Sequence, residues 1–307
     1  MSDSFQCETP IALIIFRRYE ATQKVLASLR QVKPRQIFVI GDAPRPQKAG
    51  EAEEVERTRQ LIETIDWDCK IKTNFATENL GTWKRIPSGL DWVFQQVDRA
   101  IILEDDCIPD TSFFPFCQTL LERYVDEPRV LTITGNNFQF GQQRTPYSYY
   151  FSRIHHSWGW ATWRRAWQYF DFDMTLWPTV RDEGFLRQLW PQEPDYQFWS
   201  NNFEGAYVGR IQSWDVRWTL ACWLQHGLTI TPEVNLVTNV GFDQFATHTL
   251  NPKNPAANLP AQSIEFPLKH PPCFIRQSAA DNHTQQQIFA PRLPTRIQRR
   301  LARLWNR

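Results

Sequence analysis

Ala100-Ile-Ile-Leu103 runs without interruption into Glu104-Asp105-Asp106. A short apolar run rich in isoleucine suits a strand buried on both faces. Three acids at its tip are costly together, because they repel one another at the end of an apolar element. A hard divalent cation removes that cost: it takes carboxylate oxygens and keeps positions open for phosphate oxygens. A solvated turn leading into a helix is the plainer reading of the same triplet. Its surroundings decide between the two.

Upstream, strands and helices alternate. Ile11-Ala-Leu-Ile-Ile-Phe16 predicts a strand, and residues 20–31 a helix with Val25, Leu26 and Leu29 on one face. Gln36–Gly41 predicts a second strand, closed by Asp42-Ala-Pro44; a charged helix over 48–64 and a third strand over 69–76 follow. Ile86, Leu90, Val93, Phe94 and Val97 stand at helical spacing just before the acidic strand. Beyond it, 112–124 predicts a helix and Val130–Thr134 a strand. This alternation predicts an α/β fold: a mostly parallel twisted sheet flanked by helices. Ligands sit beyond the carboxyl ends of such strands. Arg17-Arg18, Asp42 and Glu104-Asp105-Asp106 all fall at that edge.

The second half is irregular and aromatic. Ten of the fourteen tryptophans lie between Trp158 and Trp223, concentrated in Ser157-Trp-Gly-Trp-Ala-Thr-Trp163 and Ser213-Trp-Asp-Val-Arg-Trp-Thr219. Strand-like Leu228–Val237 leads into Asn239-Val-Gly-Phe242 and Ala246-Thr-His-Thr249. Residues 251–294 are polar and Pro-rich, which predicts an extended wrap or tail. Arg292–Arg307 holds six arginines, with Ile297, Leu301 and Leu304 at helical spacing. It predicts a basic amphipathic helix able to touch an anionic membrane.

The 307 residues, 42% hydrophobic, can bury one large domain or two fused lobes. A net charge of +1 argues against a dedicated nucleic-acid binder. None of the six cysteines forms a C-x-x-C pair, which argues against structural zinc and suits buried free thiols in a reducing compartment. The apolar run Ile11–Phe16 is short, and its arginines follow rather than precede it, unlike a secretory leader. No run approaches the ~18 apolar residues that span a bilayer. These features predict a cytoplasmic protein, at most peripheral on the cytoplasmic face of a membrane.

Ile101-Ile-Leu-Glu-Asp-Asp-Cys-Ile-Pro-Asp110, followed by Phe113-Phe114, resembles the variant DxD motif of N-acetylglucosaminyltransferase I and related family-2-like bacterial glycosyltransferases. The resemblance covers about residues 8–250. It implies a GT-A domain over 8–250, with a nucleotide-sugar half at 8–137 and an acceptor half at 138–250, then an extension at 251–307. It also implies a nucleotide-diphosphate sugar donor, UDP-linked by preference, and Mn2+ or Mg2+ as cofactor. The acceptor is a hydroxyl, on a glycan or a lipid-linked carrier. By position, Asp106 becomes the direct metal ligand, and Glu104 and Asp105 contacts to the ribose or sugar. Arg18 becomes a diphosphate or ribose contact, with Arg17 standing where the family has a small polar residue. Gly41-Asp-Ala-Pro-Arg45 is similar to the family's Asp-Gly-Pro-Arg turn, whose Asp bonds the uracil; Ala43 replaces the glycine. Taken singly, Arg18 also reads as a surface charge and Asp42 as a turn-stabilising residue.

Asn79-Leu-Gly81 with Lys84-Arg85 resembles the family's Asn-x-Gly segment, a helix start with nearby cations that suits an anion. It makes Asn79, Lys84 and Arg85 donor contacts. His248 stands where related enzymes often place a late His or Ser near the metal or diphosphate; imidazole is an acceptable Mn2+ ligand, although a lone histidine more often is not one.

An inverting transfer needs one carboxylate within reach of the acceptor hydroxyl. Asp215, between Trp214 and Trp218, resembles the residue that supplies it; pairing with Arg217 or capping of the following helix is the competing reading. Asp195 and Glu193 are reserves, and Glu183 a weaker one. Trp158, Gly159 and Trp160 are expected to wall the sugar cleft, Gly159 by letting backbone approach the donor. Trp163 and Trp167 are expected in the core. His155-His156 would touch phosphate or cap a loop. Two other classes stay open. A nucleotidyltransferase would need a Gly-rich phosphate loop where Phe16-Arg17-Arg18-Tyr19 stands. A non-catalytic carbohydrate-binding protein explains the tryptophans but not the charged strand ends.

Overall fold

A computed structural model describes residues 5–242 and 255–290. The elements run β1 (Ile11–Ile15), α1 (Tyr19–Val32), β2 (Gln36–Gly41), α2 (Glu51–Gln60), β3 (Lys70–Phe75), α3 (Thr82–Phe94), β4 (Arg99–Glu104), β5 (Cys107–Pro109), α4 (Phe113–Arg123) and β6 (Val130–Thr134). They continue with β7 (Tyr149–Ser152), β8 (Trp160–Trp163), α5 (Arg164–Trp167), α6 (Trp177–Asp182), α7 (Phe185–Leu189), α8 (Glu193–Tyr207), α9 (Trp214–Leu224), β9 (Leu228–Pro232), β10 (Val237–Asn239) and α10 (Ser278–Thr284). His248 and the basic segment 292–307 lie outside the described residues.

The chain is an α/β protein built on a mixed eight-stranded sheet in the order β3-β2-β1-β4-β8-β6-β9-β7. The β3-β2-β1-β4 side is parallel, as the βα alternation requires; β8 enters antiparallel between β4 and β6. Strand alternation divides the core into two. Ile11, Leu13 and Ile15 of β1 and Ile101 and Leu103 of β4 pack with Val25 and Leu29 of α1 and Phe113 and Phe116 of α4. Ala12, Ala100 and Ile102 pack instead with Ile86, Leu90 and Val93 of α3 and with the tryptophans. Both faces are covered, so these strands read as unbroken apolar runs rather than alternating ones.

The same alternation places Glu104, the last residue of β4, on the aromatic face. Register aligns the strand tips: Ile14 pairs with Glu104, and Ile15 with Gly41. Arg17-Arg18, Asp42 and the acidic triplet therefore meet at one edge of the sheet. Ile102 pairs with Trp160, so the loop entering β8 lies beside that edge too.

The triplet does not pass directly into a helix. It turns into β5, which pairs antiparallel with β10 in a separate two-stranded ribbon. In the tryptophan-rich region α9 packs on α3, and α8 packs on α9. Trp160, Trp163, Trp177 and Trp218 are among the largest fully buried side chains. Residues 255–290 join the main core: Leu268 packs in the first cluster, and Trp199 Nε1 donates to Gln285 Oε1 at 2.9 Å. No helix among the described residues is long and apolar enough to cross a membrane.

Candidate active site

A cavity of about 360 Å³ opens where the strand tips meet the aromatic lobe. Phe16, Arg17, Arg18, Asp42 and the triplet line the sheet side; Asn79, Gly81, Thr82 and Arg85 line the entry to α3. Ser157, Trp158, Ser213, Trp214 and Asp215 form the opposite wall, and Asn239 closes the end.

The three acids have different surroundings. Asp105 is buried, and its Oδ2 accepts the Phe16 amide at 2.9 Å, tying the tip of β4 to that of β1. Asp106 lies 3.8 Å (Oδ2) from Arg18 Nε and accepts from Asn239 Nδ2 at 3.3 Å (Oδ1). Glu104 lines the cavity as well. Burial first, then the charges of Asp106, Asp105 and Asp215, push its carboxyl well above the ordinary range, with Arg18 opposing. Four carboxylates thus share one small region.

Among the described residues, no set of three or more His, Cys, Asp and Glu side chains forms a metal cage. The donor set instead suits an ion held by one or two carboxylates, with the rest of its shell from water and phosphate oxygens. Two observations fit such an ion. The clustered acids oppose one another's charge, as Glu104 shows. Asp106 Oδ2 also occupies a gap that exists only because residue 241 is glycine, where a Cβ would come within 2.0 Å of it.

Asp42 is where the sequence placed it, but its carboxylate is already engaged. It accepts from Ala43 N at 2.9 Å, Leu80 N at 3.0 Å, Gly81 N at 2.8 Å and Asn79 Nδ2 at 3.2 Å. Asn79 Nδ2 also donates to Ala43 O at 2.6 Å. The anion received by the amides before α3 is thus the protein's own Asp42. Its role in the structure is to fix the 79–81 loop as a wall of the cavity. Arg85 is buried, and donates to Gly41 O at 3.0 Å and to Asn74 O and Oδ1 at 2.6 Å each. It joins α3 to β2 and β3. Lys84 does not line the cavity, and its ammonium lies 4.8 Å from the centre of the Trp83 ring.

On the opposite wall, Ser213 adopts an extended backbone and begins α9, so Asp215 falls in its first turn. Asp215 Oδ1 accepts from the Ser213 hydroxyl and from Val216 N at 3.0 Å. Arg217 does not pair with it: that guanidinium donates to Phe172 O, Ser213 O and Ala206 O at 2.7–2.9 Å. Asp195, Glu193 and Glu183 lie away from the cavity, and Glu193 pairs with Arg187 at 2.7 Å.

Trp158 lines the cavity, and so does Trp214. Trp160 does not: it is fully buried and stacks on Trp214 at 5.5 Å. Gly159 has φ +68°, but the close approach it permits is to Val237 of β10, where a Cβ would fall 2.7 Å from Cγ2. Trp163 and Trp167 are in the core. His155 and His156 are buried there as well, and burial lowers both, His156 to about 3. His155 contacts Thr132 Oγ1, Trp160 and Trp218 rather than the cavity.

Sequence reasoning did not single out Arg45, Ser213 or Asn239. Arg45 lines the cavity and binds the buried Glu51 carboxylate, which it holds below the usual range; Arg17 pairs with the same carboxylate at 3.3 Å. Its place as the arginine of the Asp42-Ala-Pro-Arg45 turn, four residues past the end of β2, was the available signal. Asn239 comes from a strand 133 residues beyond the triplet, which no local pattern connects.

No protein-family model matches the sequence, and no curated protein matches it. Among solved structures, the chain is similar to a mannosyltransferase from Pyrobaculum calidifontis in complex with GDP-Man and Mn2+, at TM-score 0.37 and 10% identity over 72% of this chain and 75% of that one. It is also similar to HddC from Yersinia pseudotuberculosis, at 0.33 and 10% over 51% and 77%. An apo UDP-glucose pyrophosphorylase gives 0.37 and 6% over 75% and 93%. At such TM-scores the likeness carries no inference about function.

Proposed function

We propose that the chain is a metal-dependent glycosyltransferase of the GT-A type. It moves a sugar from a nucleotide diphosphate, UDP by preference, to a hydroxyl acceptor with inversion. The observation that carries this reading is the placement of Asp215 across the cavity from the triplet, close enough for its charge to raise Glu104. One wall offers clustered carboxylates for a cation; the other offers a half-buried carboxylate between aromatic rings.

Asp106 would hold the ion, with Glu104 beside it. The bound ion would supply neutralisation of the leaving diphosphate. Asp215 takes the acceptor proton as that oxygen attacks the anomeric carbon, and the sugar–phosphate bond breaks with its electron pair going to the diphosphate. Ser213 and Val216 N occupy Oδ1, which leaves Oδ2 as the proton acceptor. Trp158 and Trp214 give the sugar apolar faces and keep bulk water from the reacting carbon. Asp42 holds the Asn79–Gly81 wall in place.

The test is donor hydrolysis and transfer by the full chain with UDP-, GDP- and dTDP-sugars, with and without Mn2+. Metal-dependent turnover of one donor class is expected. Turnover of none, or turnover indifferent to metal, would remove the reading.

A further inference from the structure

We propose that Asn239 and Gly241 are positioning residues for Asp106, so that the β5–β10 ribbon sets the protein's affinity for a divalent cation. The inference rests on the reading of Asp106 as the metal ligand. It concerns residues that lie outside the acidic motif and far from it in sequence.

Three features hold the Asp106 carboxylate. First, Asn239 faces Cys107 in the ribbon register, and Val240 N donates to Asp106 O at 2.9 Å, so β10 is anchored on the triplet's own backbone. Second, Asn239 Oδ1 accepts from Gly241 N at 2.8 Å. That bond settles which end of the amide faces the triplet: Nδ2 donates to Asp106 Oδ1 at 3.3 Å, so the carboxylate meets a donor rather than a second acceptor. Third, a Cβ at residue 241 would lie 2.0 Å from Asp106 Oδ2 and 2.8 Å from Cγ. Any side chain there would evict the carboxylate from its present position. Arg18 Nη2 adds a bond to Gly241 O at 3.4 Å. One oxygen is thus oriented by an amide, and the other occupies space that only glycine leaves. A carboxylate held this way loses little rotamer freedom when it binds an ion, which is how neighbours of a metal ligand raise affinity.

The probe is Mn2+ itself, titrated calorimetrically into the full-length protein alone and with UDP or GDP present. Asn239→Ala is expected to weaken Mn2+ binding ~10–100-fold. Gly241→Ala should weaken it at least as much. Asn136→Ala is the control, since Asn136 Nδ2 bonds Val237 O at 3.5 Å on the same strand without touching Asp106. It should leave Mn2+ affinity unchanged whatever it does to the melting temperature. A second measurement reads the collision directly: Gly241→Ala should lower the melting temperature of the wild-type chain more than that of Asp106→Ala, where the contacts at 2.0 and 2.8 Å are gone and the one to Asn239 Oδ1 at 3.1 Å remains. Unchanged Mn2+ affinity in Asn239→Ala and Gly241→Ala, with wild type binding the ion, overturns this inference and leaves Asp106 as ligand. Equal weakening in Asn136→Ala overturns it too, as a general effect of loosening β10. Absence of Mn2+ binding by wild type under every condition overturns both readings.

Discussion

The two walls of the cavity are built by opposite rules. On the sheet side, polar groups reach the site because strands end there, and most are then spent on one another: Asp42 on the 79–81 loop, Asp105 on Phe16 N, and Arg45 and Arg17 on Glu51. On the aromatic side the polar groups are few and the apolar mass is large. There, Trp158, Trp214 and Asp215 reach the cavity, while Trp160, Trp177 and Trp218 are consumed by packing. A strand tip delivers a charged residue to an edge by periodicity alone. A tryptophan in an irregular lobe reaches the edge only where the tertiary packing leaves it there, which no local period encodes.

The strongest way to break this comparison is to remove one carboxylate from each wall. Asp106→Ala should abolish metal-dependent donor binding, measured by Mn2+-dependent UDP titration. Asp215→Asn should retain donor binding and lose ~10²–10⁴ in kcat, the usual worth of a positioned base. If Asp215→Asn lost donor binding instead, the division of labour between the walls would be wrong.

Next in size is a contrast within the aromatic wall. Trp160 is fully buried against Trp214 and Trp218, so Trp160→Ala should cost ~3–5 kcal/mol in denaturant unfolding. Trp158 lines the cavity, so Trp158→Ala should cost much less stability and appear mainly as a raised KM. Equal destabilisation by both would mean that Trp158 is a core residue as well.

These two residues also mark the limit of what the sequence told. The β1–β4 alternation, the strand tips and the grouping of Arg18, Asp42 and the triplet at one edge were all legible, because buried parallel strands write their period and length directly into the chain. Asp215 was legible as a lone acid between tryptophans. The sequence could not show that Trp158 and Trp160 part company: two residues apart they would share a face in a strand, but β8 begins only at Trp160, and Trp158 stands in the preceding loop beyond Gly159 at φ +68°. Nor could it show Asn239 meeting Asp106, since β10 joins β5 through a ribbon closed across most of the fold. Lys84 read as a donor contact for a similar reason, whereas Arg85 does line the cavity. The helix start was correct, but the amides before it had already received Asp42.

Asp42 gives a smaller, mixed effect. Asp42→Ala leaves the Leu80 and Gly81 amides without their acceptor, which should cost ~1–3 kcal/mol of stability. Donor binding should weaken through the displaced wall. Asp42→Asn keeps the shape but replaces one acceptor oxygen with a donor, so it should recover only part of both. Full recovery by Asn would mean that the loop needs bulk at this position rather than a carboxylate.

The last test uses a buried acid that does not line the cavity and so probes the contrast from the other side. Asp281 of α10 accepts from Ser152 Oγ at 2.5 Å and pairs with Arg276 at 3.2 Å, fastening residues 276–281 to β7. Burial raises its carboxyl to about 7, against the pull of the Ser152 hydrogen bond and the Arg276 charge. Its unfolded value is ~3.9. Between those two values the folded chain keeps a proton that the unfolded chain releases. Stability therefore falls as pH rises from ~4 to ~7 and is flat above, by at most ~1.4 kcal/mol per pH unit. Asp281→Asn mimics the protonated form and should flatten that slope, gaining stability relative to wild type at about pH 8 but little at about pH 4. Urea unfolding at the two pH values reads this directly. A slope unchanged by Asn would place the carboxylate's charge firmly on Arg276 and Arg153, making this acid the same kind of spent pair as Glu51 on the sheet wall.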